Sequence, residues 1–92
     1  MTRAVRAIVR GTVQGVGFRA FAVREAERLG LDGWVRNRRD GTVEAVLSGD
    51  AAAVDRMLLA LGVGPPGASV VNVRSVAHAE PVAPGFSALP TE

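Results

Sequence analysis

The sequence predicts an α+β sandwich in which two helices pack on one face of an antiparallel sheet, in the order strand, helix, strand, strand, helix, strand (βαββαβ), with a short fifth strand at the edge. Three observations lead there. Short runs alternate apolar and polar residues, two intervening segments place apolar residues at helical spacing, and Asp40-Gly41 turns the chain between two of the runs. With 92 residues, 48% hydrophobic and 22% charged, the chain fits one compact domain over residues 1–92 and is too apolar for disorder.

Residues 4–11 read as the first strand, because Val5, Ala7 and Val9 alternate with Arg6 and Arg10, with Ile8 alone interrupting the polar side. A loop with Gly15 and Gly17 follows. Residues 20–29 then form a helix whose apolar face gathers Phe18, Phe21, Ala22, Ala26 and Leu29, and whose outer face carries Arg24, Glu25, Glu27 and Arg28. Gly30 stands where a helix end needs positive φ, and Leu31 follows as the apolar residue of such a cap. Residues 33–39 and 42–47 are two strands joined as a hairpin at Asp40-Gly41. Asp50 reads as the N-cap of a second helix over 51–61, with Val54, Met57, Leu58 and Leu61 inward and Gly62 just past its end. Gly64-Pro65-Pro66-Gly67 is a loop, residues 70–77 a fourth strand, 81–85 a turn, and 86–89 a short apolar stretch that Pro90 ends. The irregular spacing of Val70 and Val73 predicts a bulge or a late start in that fourth strand. This order matches the ferredoxin-like split βαβ arrangement, in which we expect strand two to lie beside strand one. Such a fold hosts unrelated functions, so function has to be argued from a site.

Composition narrows the chemistry. The chain has no cysteine, so a disulfide framework and a Cys-based zinc site are excluded, and its single histidine, His78, cannot form a His-rich metal cluster. Covalent nucleophiles reduce to Ser, Thr or carboxylate. His78 has no partnered Ser and Asp in view, Asp40, Asp50 and Asp55 have turn, cap and helix-surface explanations, and Trp34 reads as a packing residue. Metal catalysis is not expected. Net charge is +2, yet all eleven basic residues are Arg, which suits forked contacts with carboxylate or phosphate, although genome composition produces the same usage. No apolar run approaches a membrane span, and Arg3 and Arg6 interrupt the N-terminal apolar stretch. A cytoplasmic protein with no membrane partner is the expectation.

Two segments stand out. The first, Gly11-Thr12-Val13-Gln14-Gly15-Val16-Gly17-Phe18-Arg19, is a strand-to-helix turn with closely spaced glycines. Glycine permits positive φ, so successive N–H groups can converge on one point, and the following helix adds the partial positive charge of its N-terminus. An oxyanion suits such a loop. Arg19 closes it at the first helical turn, where a guanidinium meets two oxygens as a fork; a tight turn with a surface arginine is the plainer alternative. The second segment, Gly33 to Gly41, contains Asn37, a neutral side chain able to hold a water by its carbonyl oxygen while its NH2 group faces an anion. Asparagine near a hairpin is also ordinary turn chemistry. Arg36, Arg38 and Arg39 read as a solvated rim that raises the local positive potential. Gly15 to Ala20 also fits the dinucleotide pattern G-x-G-x-x-A, but strand two turns straight into a hairpin with no acidic residue at its end, and the chain is too short for two nucleotide-binding halves.

Together these strings resemble the acylphosphatase family. Residues 9–19 are similar to its phosphate-binding loop, and Gly33-Trp34-Val35-Arg36-Asn37 with Gly41, Val43 and Gly49 is similar to its second signature. The resemblance implies an enzyme that hydrolyses the carboxyl–phosphate bond of small acyl phosphates as a monomer, with no metal, cofactor or nucleic-acid partner. It implies Arg19 and Asn37 as the catalytic pair, Arg19 on the phosphoryl group and Asn37 positioning the attacking water. Gln14, Gly15, Val16, Gly17, Phe18 and Arg19 would form the substrate-binding loop, with the amides of residues 15–19 cradling the oxygens. Residues 86–89 end sooner than the alternating strand common at that place in the family. Two rivals differ in class: a carbamoyl phosphate module such as opens larger hydrogenase-maturation proteins, and an RNA-binding module reading single strands on the open sheet face.

Overall fold

A computed structural model describes residues 1–92. The chain runs β1 (Thr2–Thr12), α1 (Phe18–Arg28), β2 (Asp32–Asn37), β3 (Val43–Asp50), α2 (Ala51–Val63), β4 (Ser69–Ala77) and β5 (Phe86–Ala88). One sheet holds all five strands in the order β4-β1-β3-β2-β5. The helices cover one face, and the other is open.

The order corrects one expectation: β2 does not lie beside β1, because β3 stands between them and pairs antiparallel with both. The helical crossover α1 makes β1 and β2 run parallel, and a helix is wider than one strand spacing, so the two are left a slot apart. Strand β3, turning back from the hairpin, fills that slot. A second correction concerns the sheet, which is mixed, since β5 pairs parallel with β2 from Gly33 opposite Phe86 to Val35 opposite Ala88. Its three residues end where Pro90 approaches, a residue without an N–H to donate.

Local chemistry fixes the element ends. At Gly30, φ is 70°, and the N–H groups of Leu31 and Gly30 reach back to the carbonyls of Ala26 and Glu27, closing α1 as the Gly30-Leu31 pair predicts. The start of α1 lies two residues earlier than the sequence suggests, at Phe18. Asp50 does precede α2, but its side chain makes no cap bond; the Met1 carbonyl instead accepts the Ala51 N–H at 2.8 Å. Helix α2 continues through Gly62 to Val63, because the constraint falls later: Gly64 precedes a proline, which disfavours helical backbone there, and adopts φ 73°. The predicted bulge is present, with Arg10 opposite Asn72 but Gly11 opposite Val70, leaving Val71 as the extra residue.

The inward side chains of the strands, Val5, Ala7, Val9, Val35, Val43, Ala45 and Leu47, pack on Phe18, Ala22 and Ala26 of α1 and on Val54, Met57 and Leu61 of α2. All are buried, so period-two and period-3.6 patterns meet in one layer. On the open face Trp34 is half-buried under the Arg36 guanidinium, 4.7 Å from the ring centroid. His78 lies just beyond β4 and donates its backbone N–H to the Ala4 carbonyl. No helix is long and apolar enough to cross a membrane.

Candidate active site

The loop between β1 and α1 crosses the end of β3 to reach the β2–β3 hairpin. Two glycines shape it, Gly15 at φ 75° and Gly17 at φ 79°, ψ 23°, both in the left-handed region where a Cβ is strained. Neither is crowded by neighbours, so the backbone angle and not space requires glycine here. Gly17 is the N-cap of α1, and its carbonyl accepts the Phe21 N–H at 3.0 Å. The N–H groups of Phe18, Arg19 and Ala20 therefore have no acceptor within the helix and point toward the loop. Arriving there, an anion would meet these donors and the positive end of the helix.

A cleft of about 360 Å³ opens at this point. The β1–α1 loop and the first turn of α1 contribute Val13, Gly15, Gly17, Phe18, Arg19 and Ala20 to its lining, and β2 and β5 contribute Asn37 and Ala88. Of the residues singled out from sequence, Gly15, Gly17, Phe18, Arg19 and Asn37 line this cleft together, and Gln14 and Val16 do not. Phe18 is 2% exposed, so its ring belongs to the core and only its backbone is available to the cleft. Val16 packs partly against the same core. The Gln14 side chain is spent elsewhere: its Nε2 donates to the carbonyls of Arg38 at 2.7 Å and Thr42 at 2.9 Å. Gln14 thereby ties the glycine loop to the hairpin that bears Asn37.

The hairpin is wider than a two-residue turn. Asn37 pairs with Val43, and the five residues between them are held by the Arg38 N–H on the Thr42 carbonyl. The Asp40 carboxylate closes the turn by accepting the Thr42 hydroxyl at 2.6 Å and the Thr42 N–H at 3.0 Å. Those hydrogen bonds, side chain first, hold the Asp40 carboxyl below its ordinary range.

Sequence reading missed two contributors. The stretch after β5 reaches the site: Ala88 lines the cleft, the Leu89 carbonyl accepts from Arg19 Nη1 at 3.3 Å, and the Glu92 N–H donates to the Asn37 carbonyl at 3.1 Å. The other is Glu44, on the open face behind Asn37 and only 3% exposed. Its Oε1 accepts from Arg36 Nε at 2.8 Å, Oε2 accepts from Arg6 Nε, and Arg38 Nη1 lies 3.8 Å away. No local signal announces either, because both depend on strand order and on backbone carbonyls that carry no residue identity.

Burial pushes the Glu44 carboxyl up, but the hydrogen bonds from Arg6 and Arg36 and the charges of the same groups outweigh it and leave the group below its ordinary value. A depressed folded-state pKa gives stability that is complete above the unfolded carboxylate range, about pH 4–5, and is lost as pH falls through the lower folded value. We expect urea unfolding to show constant stability above about pH 5 and a decline on acidification that is shallower in Glu44→Gln. An equally steep acid limb in the variant would assign the titration to other carboxylates.

Fold and cleft together define a small α+β domain organised around a glycine-rich strand-to-helix loop that faces an arginine and an amide. The acylphosphatase family model matches residues 5–87. An acylphosphatase of Azoarcus sp. (strain BH72) is 53% identical over 83 residues, covering 90% of this chain and 85% of that protein. Among solved structures, an acylphosphatase from Coxiella burnetii superposes with a TM-score of 0.92 at 34% identity, covering 96% of this chain and 93% of the other. Another, from Bacillus subtilis, gives a TM-score of 0.89 at 37% identity and covers 97% and 99%. The chain belongs to the acylphosphatase family.

Proposed function

We propose that this acylphosphatase cleaves the carboxyl–phosphate bond of small acyl phosphates with Arg19 and Asn37 as its catalytic pair. The observation that supports the pairing most is that the two residues, on separate elements, line one cleft together with the glycines of the loop. In this reading the amides of residues 15–19 and the Arg19 guanidinium hold the phosphoryl oxygens, and the Asn37 side-chain Oδ1 holds a water on the side opposite the leaving group. The water oxygen forms a bond to phosphorus as the bond from phosphorus to the bridging oxygen breaks. The carboxylate departs with that bonding pair, and the water gives up a proton to a phosphoryl oxygen, leaving inorganic phosphate.

An acyl phosphate is a mixed anhydride with a good leaving group, so positioning and charge stabilisation supply most of the acceleration. Asn37 then needs only to orient the water, a task a neutral amide performs. All the groups invoked belong to one chain, so a monomer suffices. As proposed, residues 1–92 act as one domain in the cytoplasm without metal, nucleic acid or membrane partner. Hydrolysis of benzoyl phosphate by the purified protein, unchanged by EDTA and eluting at the position of a 9.5 kDa monomer, is the expected result. Absence of turnover, or turnover that EDTA abolishes, would count against it.

A further inference from the structure

The chemistry just described uses nothing on the open face of the sheet, yet the most buried ionisable side chain, Glu44, lies there. Residues alternate between faces along a strand. Asn37 shares its side of β2 with the buried Val35, toward the helices and the cleft, so Arg36 projects to the opposite side, and Arg38, the first hairpin residue beyond β2, turns its guanidinium to that same side. Both meet Glu44, Arg36 through its Nε at 2.8 Å and Arg38 through Nη1 at 3.8 Å. From the geometry we infer that Glu44 is a positioning residue for Asn37, holding Arg36 on one side of it by a hydrogen bond and Arg38 on the other by a longer ion pair, and so fixing the end of β2 from which Asn37 reaches the cleft.

The grip matters because Asn37 is the last residue of β2, where a strand is freest to twist or fray. A rotation of the backbone there would swing Arg36 and Arg38 away from the carboxylate as it swung Asn37 out of the cleft. Glu44 sits on β3, the central strand, paired on both sides by β1 and β2, so it is a fixed point for a movable end. Main-chain contacts act with it: the Arg38 carbonyl accepts from Gln14 Nε2, and the Asn37 carbonyl accepts from the Glu92 N–H. Arg36 also reaches the Glu92 carboxylate at 3.2 Å, joining the C-terminal residues to the same cluster. Arg6 provides an internal control, since it contacts Glu44 from β1 and flanks no residue of the cleft.

The inference rests on the reading of Asn37 as the water-positioning group, and the experiment separates the two. Steady-state hydrolysis of benzoyl phosphate is compared in wild type, Asn37→Ala, Glu44→Gln, Arg36→Met, Arg36→Lys and Arg6→Met, with inhibition by inorganic phosphate as a measure of the cradle. Glu44→Gln and Arg36→Met are expected to lower kcat about tenfold, given that small misplacements of a reacting group are costly, with KM and phosphate inhibition within about twofold. Arg36→Lys should recover part of the loss by restoring the charge without the fork. Arg6→Met should lose stability in urea and keep its kcat.

Wild-type kcat in Glu44→Gln, with Asn37→Ala inactive, would overturn the positioning role and leave the site intact. An equal fall of kcat in Arg6→Met would overturn it too, by making the effect one of general stability. Full activity in Asn37→Ala would reject the reading of the site itself. Should Glu44→Gln fail to fold, the doubly substituted Arg36→Met, Arg38→Met chain leaves Glu44 paired with Arg6, and an undiminished kcat there would refute the proposal.

Discussion

Replacing Arg19 by alanine is expected to lower kcat/KM for benzoyl phosphate by about 10³-fold or more, the range in which removal of a preorganised charge on a transferring phosphoryl group falls. Arg19 is the second residue of α1, half-buried, and lies on the cleft wall that the loop amides form. One of its terminal nitrogens donates to the Leu89 carbonyl at 3.3 Å, which ties the guanidinium to the segment after β5. Both substrate binding and the transition state would lose a charge-assisted fork, so KM should rise as kcat falls. Lysine at this position supplies a point charge in place of a planar fork and should recover only a small part of the activity. Circular dichroism and urea unfolding of Arg19→Ala should match wild type within about 1 kcal/mol, since the side chain is not part of the apolar core. Steady-state kinetics decide the matter: retention of more than a tenth of wild-type kcat/KM would show that the arginine is a surface residue at a tight turn.

Asn37→Ala should give the second large effect, of a different kind. If the amide only orients water, its removal costs kcat about 10²- to 10³-fold and leaves KM and competitive inhibition by inorganic phosphate nearly unchanged. An effect on phosphate binding equal to the effect on kcat would place Asn37 among the phosphate ligands. Asn37→Asp is a sharper probe, because it keeps the carbonyl-type acceptor but adds a negative charge beside the anion. We expect it to be as inactive as the alanine variant and to bind phosphate more weakly than wild type.

Much of this site was legible in the residues because its signals are local. Gly15 and Gly17 mark positive φ, Arg19 follows them at the start of a helix, and Asn37 stands before Asp40-Gly41; each constraint acts within a few positions. The Gly30-Leu31 cap was legible for the same reason, and the spacing of Val70 and Val73 marked an irregularity in β4, left open between a bulge and a late start, that the register resolves as a bulge. Strand order was not, since the residues of β1 and β2 alternate equally well whether they are neighbours or are separated by β3. Nor was the parallel pairing of β5, which its three residues do not encode by themselves. Gln14 illustrates the limit most clearly. Its place in the loop suggests contact with substrate, whereas its amide hydrogens go to the carbonyls of Arg38 and Thr42, acceptors that any residue would present. Glu44 reads as a polar position in an alternating strand and becomes significant only when β1, β2 and the hairpin bring Arg6, Arg36 and Arg38 around it.

The proposed chemistry requires the loop amides and Arg19 to close around one tetrahedral dianion beside Asn37. A crystal of the protein grown or soaked with inorganic phosphate tests this most directly. The predicted result is one phosphate at the β1–α1 loop, accepting from backbone N–H groups within residues 15–19 and from two nitrogens of Arg19, with an ordered water between it and the Asn37 side-chain Oδ1. Phosphate bound elsewhere while the loop stays unliganded, or bound at the loop with Asn37 too far away to share a water with it, would contradict the account.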